Sequence, residues 1–542
     1  MDFRYAISLV FEAHLPYVRE FSKEDDYTQI GKEGRFFSFV SDTLLPLLDI
    51  LYRLENDHIP FRIAVAISPI ICHMLNDELL QKKYLHYLDK QIEFGKKEID
   101  RTANNAGLNN LARYYHDQIT ERKIAYTERY EKNLIKAIDI FRRKGKVEIL
   151  AGCATNAYLP FISQNPESMQ AQMEIPLSSY RRHFGSAPQG FWLPSLGWTN
   201  ELEPFLKDYN YTYTILDSHG LLFANPTPEK GCFFPVKTPN GTFILGRDYH
   251  AVREINKYTA CELYRNNDRD AGYELPPDVV SQFLTEDGER HRTGYKYWSH
   301  TAVSSGAVNG QTGDTNEQNI YNPQAASAKV EEHAKAFLEN MTARLEEVSK
   351  YMNEAPVSIT ALTAGSFGYF WYEGLQFIET LFRLASGYSG LKMICPSEYI
   401  FKQNLSSIQV VSPENSSSGV HGYAETWLNV SNDWIYRHML RAMERMTELA
   451  ERFPDDTGLK ERALNQAARE ILLAQSSDWP SLLYKQDSTE YAHNKAENAL
   501  RNFTTIYEAL GSNYISTEWL TTLERKHNIF PNINYRVFRR KK

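Results

Sequence analysis

The sequence predicts an α/β, barrel-like domain followed by an all-helical C-terminal domain. Two patterns and one quantity lead there. Between Arg4 and Ile394, short β-rich apolar runs alternate with stretches of helical spacing, the pattern of parallel βα units that close into a barrel. Beyond Val411 only helical periodicity remains. A chain of 542 residues, 42% of them hydrophobic, holds enough apolar mass for one large core and one or two smaller ones.

The elements follow in order. Arg4–Phe11 and Arg62–Ser68 read as strands, with helical spacing over Phe36–Arg53 between them. Leu79–Asn104 and Leu111–Arg143 are long, charged and periodic, a helical insertion spanning about 78–145. Val147–Leu150, Tyr211–Leu216, Thr242–Leu245, Val357–Ala361 and Leu391–Ile394 are further short strands. A loop insertion is expected over about 247–325, ending in the Gly-, Ser- and Asn-rich stretch His300–Asn322. Ala328–Asn353 is a helix with Glu331, Glu332, Lys335, Glu339 and Arg344 on its polar face. Val411–Gly422 reads as a linker dividing 1–410 from 411–542. Past it, helices are expected over Asp433–Phe453, Leu459–Gln475 and Ser488–Leu510. Barrel enzymes place their chemistry just after the C-terminal ends of strands. Segments 151–160, 192–198, 217–220 and 363–374 occupy such places.

Composition narrows the function. A net charge of −8 and a pI near 6.1 argue against nucleic acid or an anionic membrane surface as a partner. No run approaches the roughly 20 apolar residues of a membrane span, and the apolar run Ala6–Phe11 is too short for a signal peptide. Five dispersed cysteines without CxxC spacing read as reduced thiols of a cytoplasmic protein. The histidines show no helical HxxxH pair and no glycine-rich phosphate loop is present, so neither a metal nor a cofactor is expected. The 34 Tyr, 28 Phe and 8 Trp suit a sugar-stacking groove, although a large core also consumes aromatics.

Two segments carry the sharper signal: Trp192-Leu193-Pro194-Ser195-Leu196-Gly197-Trp198, and the run from Thr363 through Gly368-Tyr369-Phe370-Trp371-Tyr372-Glu373-Gly374. They resemble the third and fourth motifs of glycoside hydrolase family 57, on its α-glucan branching enzyme side. Further matches run nearly end to end: His14-Leu15-Pro16-Tyr17, Gly152–Pro160, Asp217-Ser218-His219, Thr293–Trp298, Glu425–Asn429 with Asn432–His438, and Ala474–Trp479. The resemblance implies a distorted (β/α)7 barrel with helical insertions and a C-terminal helical domain closing one side of a cleft. It also implies two carboxylates, a Glu nucleophile and an Asp acid/base. At those two places this chain has Ser195 and Thr363. Retaining hydrolysis needs a carboxylate pair roughly 5 Å apart. A serine is a poor nucleophile without an activating base, and a threonine has no proton to exchange near neutral pH. Other departures cluster nearby: Glu12, Asn156, Gly365 and Tyr369, the stretch Lys257–Cys261, and Arg35 where the family uses a tryptophan.

No intact catalytic pair is therefore expected. The residues placed at the cleft are Glu12, His14, Asn156, Trp192, Asp217, His219, Trp298, Tyr369, Trp371, Trp427, Asp433 and Trp434. Asp217, Glu373, Glu425 and Asp433 read as sugar-hydroxyl acceptors or structural acids. Glu12 is a new acid that would need a second carboxylate within roughly 9.5 Å to do chemistry. A Ser195–His14 or Ser195–His219 hydrolase lacks the Gly-x-Ser-x-Gly elbow. The expected function is a non-catalytic, cytoplasmic protein that binds or senses α-glucan or maltooligosaccharide. One alternative is an active branching, glucanotransferase or amylase-type enzyme with relocated carboxylates. Another is a structural or partner-binding protein whose cleft has closed; the sequence names no protein partner.

Overall fold

The computed structural model describes residues 3–20, 31–285, 288–300 and 320–541. Most of the polar loop expected over 300–322 lies outside the described residues. The strands, in chain order, are β1 (Tyr5–Ala13), β2 (Ile63–Ile67), β3 (Val147–Ala151), β4 (Gly190–Phe191), β5 (Tyr213–Leu216), β6 (Val236–Lys237), β7 (Phe243–Gly246), β8 (Val357–Thr363) and β9 (Leu391–Met393). β1 to β5 lie side by side in parallel, β7 follows β5, and β8 pairs with β1. Arg247, just past β7, bridges Ile359 on β8 and closes the ring. The result is a (β/α)7-like barrel, with β6 antiparallel on β7 and β9 beside β1 as appendages.

Alternation along the strands sorts the side chains. Ala6 and Val10 on β1 pack inward with Ala64, Ala66, Leu150, Ile215, Leu245, Ile359 and Ala361. Ile7, Leu9, Phe11, Ile63, Val65 and Ile67 pack outward against the helices. The small inner alanines leave room for the Trp192 and Tyr213 rings, which belong to the same inner cluster.

The closing joint is Asp248, which is buried. Its backbone N–H donates to Ile359 O at 2.8 Å. Its carboxylate caps the helix Tyr249–Tyr258, accepts from Ser358 Oγ at 2.7 Å, and receives Arg344 Nη1 at 2.7 and 2.6 Å. One side chain thus ties β7, β8 and the long helix Pro323–Ser349 together.

The helical insertion departs from expectation inside Leu111–Arg143. That span divides into Ala106–Ile124, a π-turn at Ala125–Arg129 and Leu134–Arg143. Glu131 and Lys132 adopt left-handed backbone, with φ of 49° and 60°, and interrupt it. A helix over Pro166–Phe184 was not anticipated, because Pro176 lies inside it; Asn165 caps its start and Gly185, at φ 75°, ends it. The expected linker at 411–422 is not a free tether. Ser412 bridges Asn225 and Ser416 bridges Trp198, so its backbone polar groups are satisfied by the barrel. One hydrophobic cluster runs from Phe11 and Leu48 through to Met443, Leu464 and Phe503, so both halves share a core.

Replacing Asp248 with alanine strands Arg344, the helix cap and Ser358 together. We expect Asp248→Ala to cost about 3 kcal/mol of stability, read as a lower melting temperature, whereas substituting the exposed Asp433 leaves melting unchanged.

Candidate functional site

The strand register places the site. On β1, Glu12 shares the inward parity of Val10, and it pairs with Thr363 at the end of β8. Glu12 therefore faces the axis at the mouth of the barrel. Trp192, just after β4, donates its indole N–H to Glu12 Oε1 at 2.8 Å. Two residues on, His14 bonds Ser68 Oγ at 3.0 Å through Nδ1 and Asp478 Oδ2 at 3.0 Å through Nε2. Asp478 also accepts from Ser476 Oγ at 2.6 Å. The mouth thus holds a Glu12, His14 and Asp478 set that joins the barrel to the C-terminal helices.

Electrostatics follow from burial. Desolvation raises the Glu12 pKa above its ordinary 4.5, opposed by the neighbouring His14 charge and the Trp192 hydrogen bond. Burial also works against a charged His14, but Asp478 and Glu12 together outweigh it and raise the imidazole pKa above 6.5.

Ser195 sits in a strained turn. It has φ 55° and ψ 22°, and Leu196 follows at φ 51°. Left-handed non-glycine residues cost about 1–2 kcal/mol each and persist where their surroundings hold them. Here Ser418 donates both its N–H and its hydroxyl to Ser195 O at 2.8 Å. Asn156, at φ 54°, is held the same way by Ser477, whose hydroxyl reaches Asn156 O at 2.6 Å. Thr363 is exposed at the end of β8, and its hydroxyl meets Ser366 Oγ at 2.9 Å. Among the described residues, neither an imidazole nor a carboxylate hydrogen-bonds Ser195 Oγ.

The other expected site residues separate into groups. Asp217 is buried and ion-paired with Arg247, at the end of β5. His219 donates its Nε2–H to Gly422 O at 2.7 Å, holding a C-terminal loop. Tyr369 is buried, with the Arg292 guanidinium 5.0 Å over its ring. Trp371 packs in the core against Tyr264 and Phe377, and Trp427 stacks on Tyr158 at 4.5 Å; both are occupied by protein rings rather than open to a ligand. Trp298 lies in the insertion, donating to Glu274 at 2.8 Å beneath Arg269. Trp434 packs on His493, and Asp433 is exposed at the start of the helix Asp433–Arg452. The tryptophans expected at the cleft are thus mostly structural, because their large apolar surface is worth more in a core.

Open aromatic surface comes from residues that the sequence reading did not single out. Phe370 is 67% exposed, close behind Thr363, and Tyr423 is 54% exposed, edge-on to His219. Phe223 is likewise exposed, at the end of the helix that follows β5. Asp478 was also missed as a site residue; its position in the run Ala474–Trp479 was the available signal. Among the described residues, no group of three His, Cys, Asp or Glu side chains could hold a metal ion, and no helix is long and apolar enough to cross a membrane.

Comparison with known proteins gives a consistent result. The family model for glycosyl hydrolase family 57 matches residues 8–268, and that for the C-terminal domain of 1,4-alpha-glucan branching enzyme matches 438–538. The 1,4-alpha-glucan branching enzyme TK1436 of Thermococcus kodakarensis is 24% identical, over 97% of this chain and 77% of its own. The crystal structure of the alpha-amylase AmyC from Thermotoga maritima superposes with a TM-score of 0.89 at 31% identity, covering 99% of this chain and all of that one. The GH57-type branching enzyme of Pyrococcus horikoshii superposes at 0.86 and 22% identity, covering 100% of this chain and 98% of its own; it shares the fold.

The two raised pKa values at the mouth have the same thermodynamic sign. A Glu12 that holds its proton more tightly when folded contributes stability below pH 4.5, its unfolded value, and this is lost as pH rises through the folded value; His14 behaves likewise above 6.5. Glu12→Gln removes the first contribution while keeping an acceptor for Trp192. The melting temperature of Glu12→Gln relative to the native chain should therefore climb as pH rises above 4.5. A flat or falling difference across that range contradicts this assignment.

Proposed function

The chain belongs to glycosyl hydrolase family 57, and from that premise we propose that it is a non-catalytic member that binds α-glucan or maltooligosaccharide at the mouth of its barrel. The observation that carries this reading is the pair Ser195 and Thr363, after β4 and at the end of β8, in segments that resemble the family motifs in which carboxylates stand. Among the described residues nothing nearby replaces both. Asp217 is committed to Arg247 and Asp478 to His14 and Ser476. Glu373 is buried and accepts the Arg265 backbone N–H at 3.0 Å. Glu425 pairs with His421 and Asp433 is exposed at the start of a helix, so of the acids singled out only Glu12 is left, where double displacement requires two.

The ligand class is supported by the relatives, which are named for α-glucan and amylase chemistry. The exposed rings of Phe370, Tyr423 and Phe223 would offer faces for sugar stacking. The strained turn at Ser195, still clamped by Ser418, fits a scaffold that has kept its site geometry after losing the reacting groups.

Glu12 supports a second reading. Its raised pKa and the adjacent His14 are the surroundings of a general acid. An enzyme with relocated carboxylates would use it.

The two readings separate in one set of assays. We expect glycogen or amylopectin in a native gel to retard the protein, while amylose keeps its iodine stain and no reducing ends appear. Turnover by amylase-free protein that disappears in Glu12→Gln would replace the first reading with the second. No retardation in either polysaccharide would point instead to a closed cleft that serves as a structural or partner-binding surface. Restoring Ser195→Glu and Thr363→Asp together should return at most a trace of turnover, because Asn156 and Tyr369 still alter the pocket; robust activity would show that the two carboxylates were all that was missing.

A further inference from the structure

The C-terminal helices meet the barrel mouth at one end and carry an open groove of about 440 Å³ at the other. Two helices place it. Leu459–Ala474 ends beside the mouth, where Thr155 and Gln172 bond Leu472 and Gln475, while Ala463 near its start lines the groove. Thr489–Gly511 begins beside the mouth, where the Tyr491 ring meets Trp479 at 6.2 Å, while Ile506 and Ala509 in its last turns line the groove. Rising about 1.5 Å per residue, that helix sets the groove roughly 25 Å from the mouth.

Its aromatic surface is open. Five of the eight tryptophans are buried. Trp298 lies under Arg269, and Trp434 packs on His493. Trp519, in the helix Thr517–Lys526, is half-buried and lines the groove. Among the described residues neither a ring nor a cation covers it, and its indole N–H meets no acceptor. Tyr514, in the turn before that helix, is 77% exposed and lines the same groove. Its ring too is free of any ring or cation among the described residues.

The lining selects the ligand. It holds one charged residue, Glu508, and no cation. Glu508 is exposed and forms no ion pair among the described residues. Phosphates, nucleic acid and acidic peptides therefore find no counter-charge there. The buried side chains of Ile506 and Leu520 make an apolar base, and the exposed Thr505, Ser512 and Ser516 add hydroxyls. A pyranose matches that mixture, with apolar C–H faces for the rings and an edge of hydroxyls for the polar groups. An apolar peptide segment would cover the rings but leave Glu508 and the hydroxyls desolvated without partners. A quaternary ammonium would use the rings and Glu508, but has no use for the hydroxyls. We propose that this groove binds a neutral oligosaccharide, an α-glucan chain, with Tyr514 and Trp519 stacking on its sugar rings and Glu508 accepting from a sugar hydroxyl. The neutral sugar class comes from the groove; the choice of α-glucan rests on the reading of the barrel mouth. A branched polymer such as glycogen reaches mouth and groove together, and each contact raises the effective concentration for the other.

The test uses the full chain. Calorimetry with maltoheptaose should report two sites in the native protein and one in Tyr514→Ala, and Tyr514→Ala should weaken retardation by glycogen at least threefold. Phe370→Ala, at the mouth, should leave the groove site intact. Where Tyr514→Ala melts early, Glu508→Gln, at an exposed and unpaired position, should weaken the same site. A single maltoheptaose site that Tyr514→Ala and Glu508→Gln leave untouched overturns the groove and leaves the mouth reading standing. A single site lost in Tyr514→Ala but kept in Phe370→Ala supports the groove and removes the mouth. Absence of maltoheptaose binding overturns both. Choline binding as tightly as maltoheptaose, or a native dimer that Tyr514→Ala dissociates, overturns the sugar assignment, and cellohexaose binding as tightly overturns its α-linked part.

Discussion

Closing seven parallel strands into a ring brings the last residue of every strand to one rim, and in this protein the ring is closed by a single buried carboxylate. Asp248 receives Arg344 and Ser358 while its own backbone pairs with Ile359. A carboxylate so placed is stable only when each of its lone pairs is met. The ends of β4, β5 and β8 depend on that closure, and so do the positions of Ser195, Asp217 and Thr363. The register of β1 against β8 then puts Glu12 opposite Thr363.

The C-terminal helices supply the other half of the mouth. Asp478 orients His14, Ser477 holds Asn156, and Trp427 stacks on Tyr158. Thr155 Oγ1 donates to Leu472 O at 2.5 Å, and Gln172 to Gln475 at 2.7 Å. Polar groups from residues more than 300 positions apart in sequence therefore share one hydrogen-bonded set. Such networks rigidify a site because each member satisfies another. The helical domain belongs to the site as well as to the core.

Much of the barrel was legible in the sequence. The runs at β1, β2, β3 and β8 appear as β-rich apolar stretches, because strands buried on both faces need continuous apolar side chains. β4 was invisible, since two residues, Gly190 and Phe191, make no periodic signal. The helix over Pro166–Phe184 was hidden by Pro176, and the split after Ile124 by a helical pattern that continues across it. At the site, the positions of Ser195 and Thr363 were read from motif similarity. The partnership of His14 with Asp478 was not, because it joins two segments that nothing local connects.

Which residue types stand at the strand ends is written in the chain: a serine after β4, a threonine at the end of β8, and a glutamate two residues before His14. Side-chain chemistry belongs to the residue and needs no fold to be known. Whether a tryptophan stacks on a ligand or on a tyrosine, and whether a carboxylate faces a cleft or an arginine, depended on the folded neighbours. Core packing claimed Trp371 and Trp427, and Arg247 claimed Asp217. A cation-lined cavity beside the mouth was also decided only by folding. Arg290 and Arg292 come from an extended stretch of the insertion and Arg35 from a short helix near the N-terminus, and only the fold brings them together.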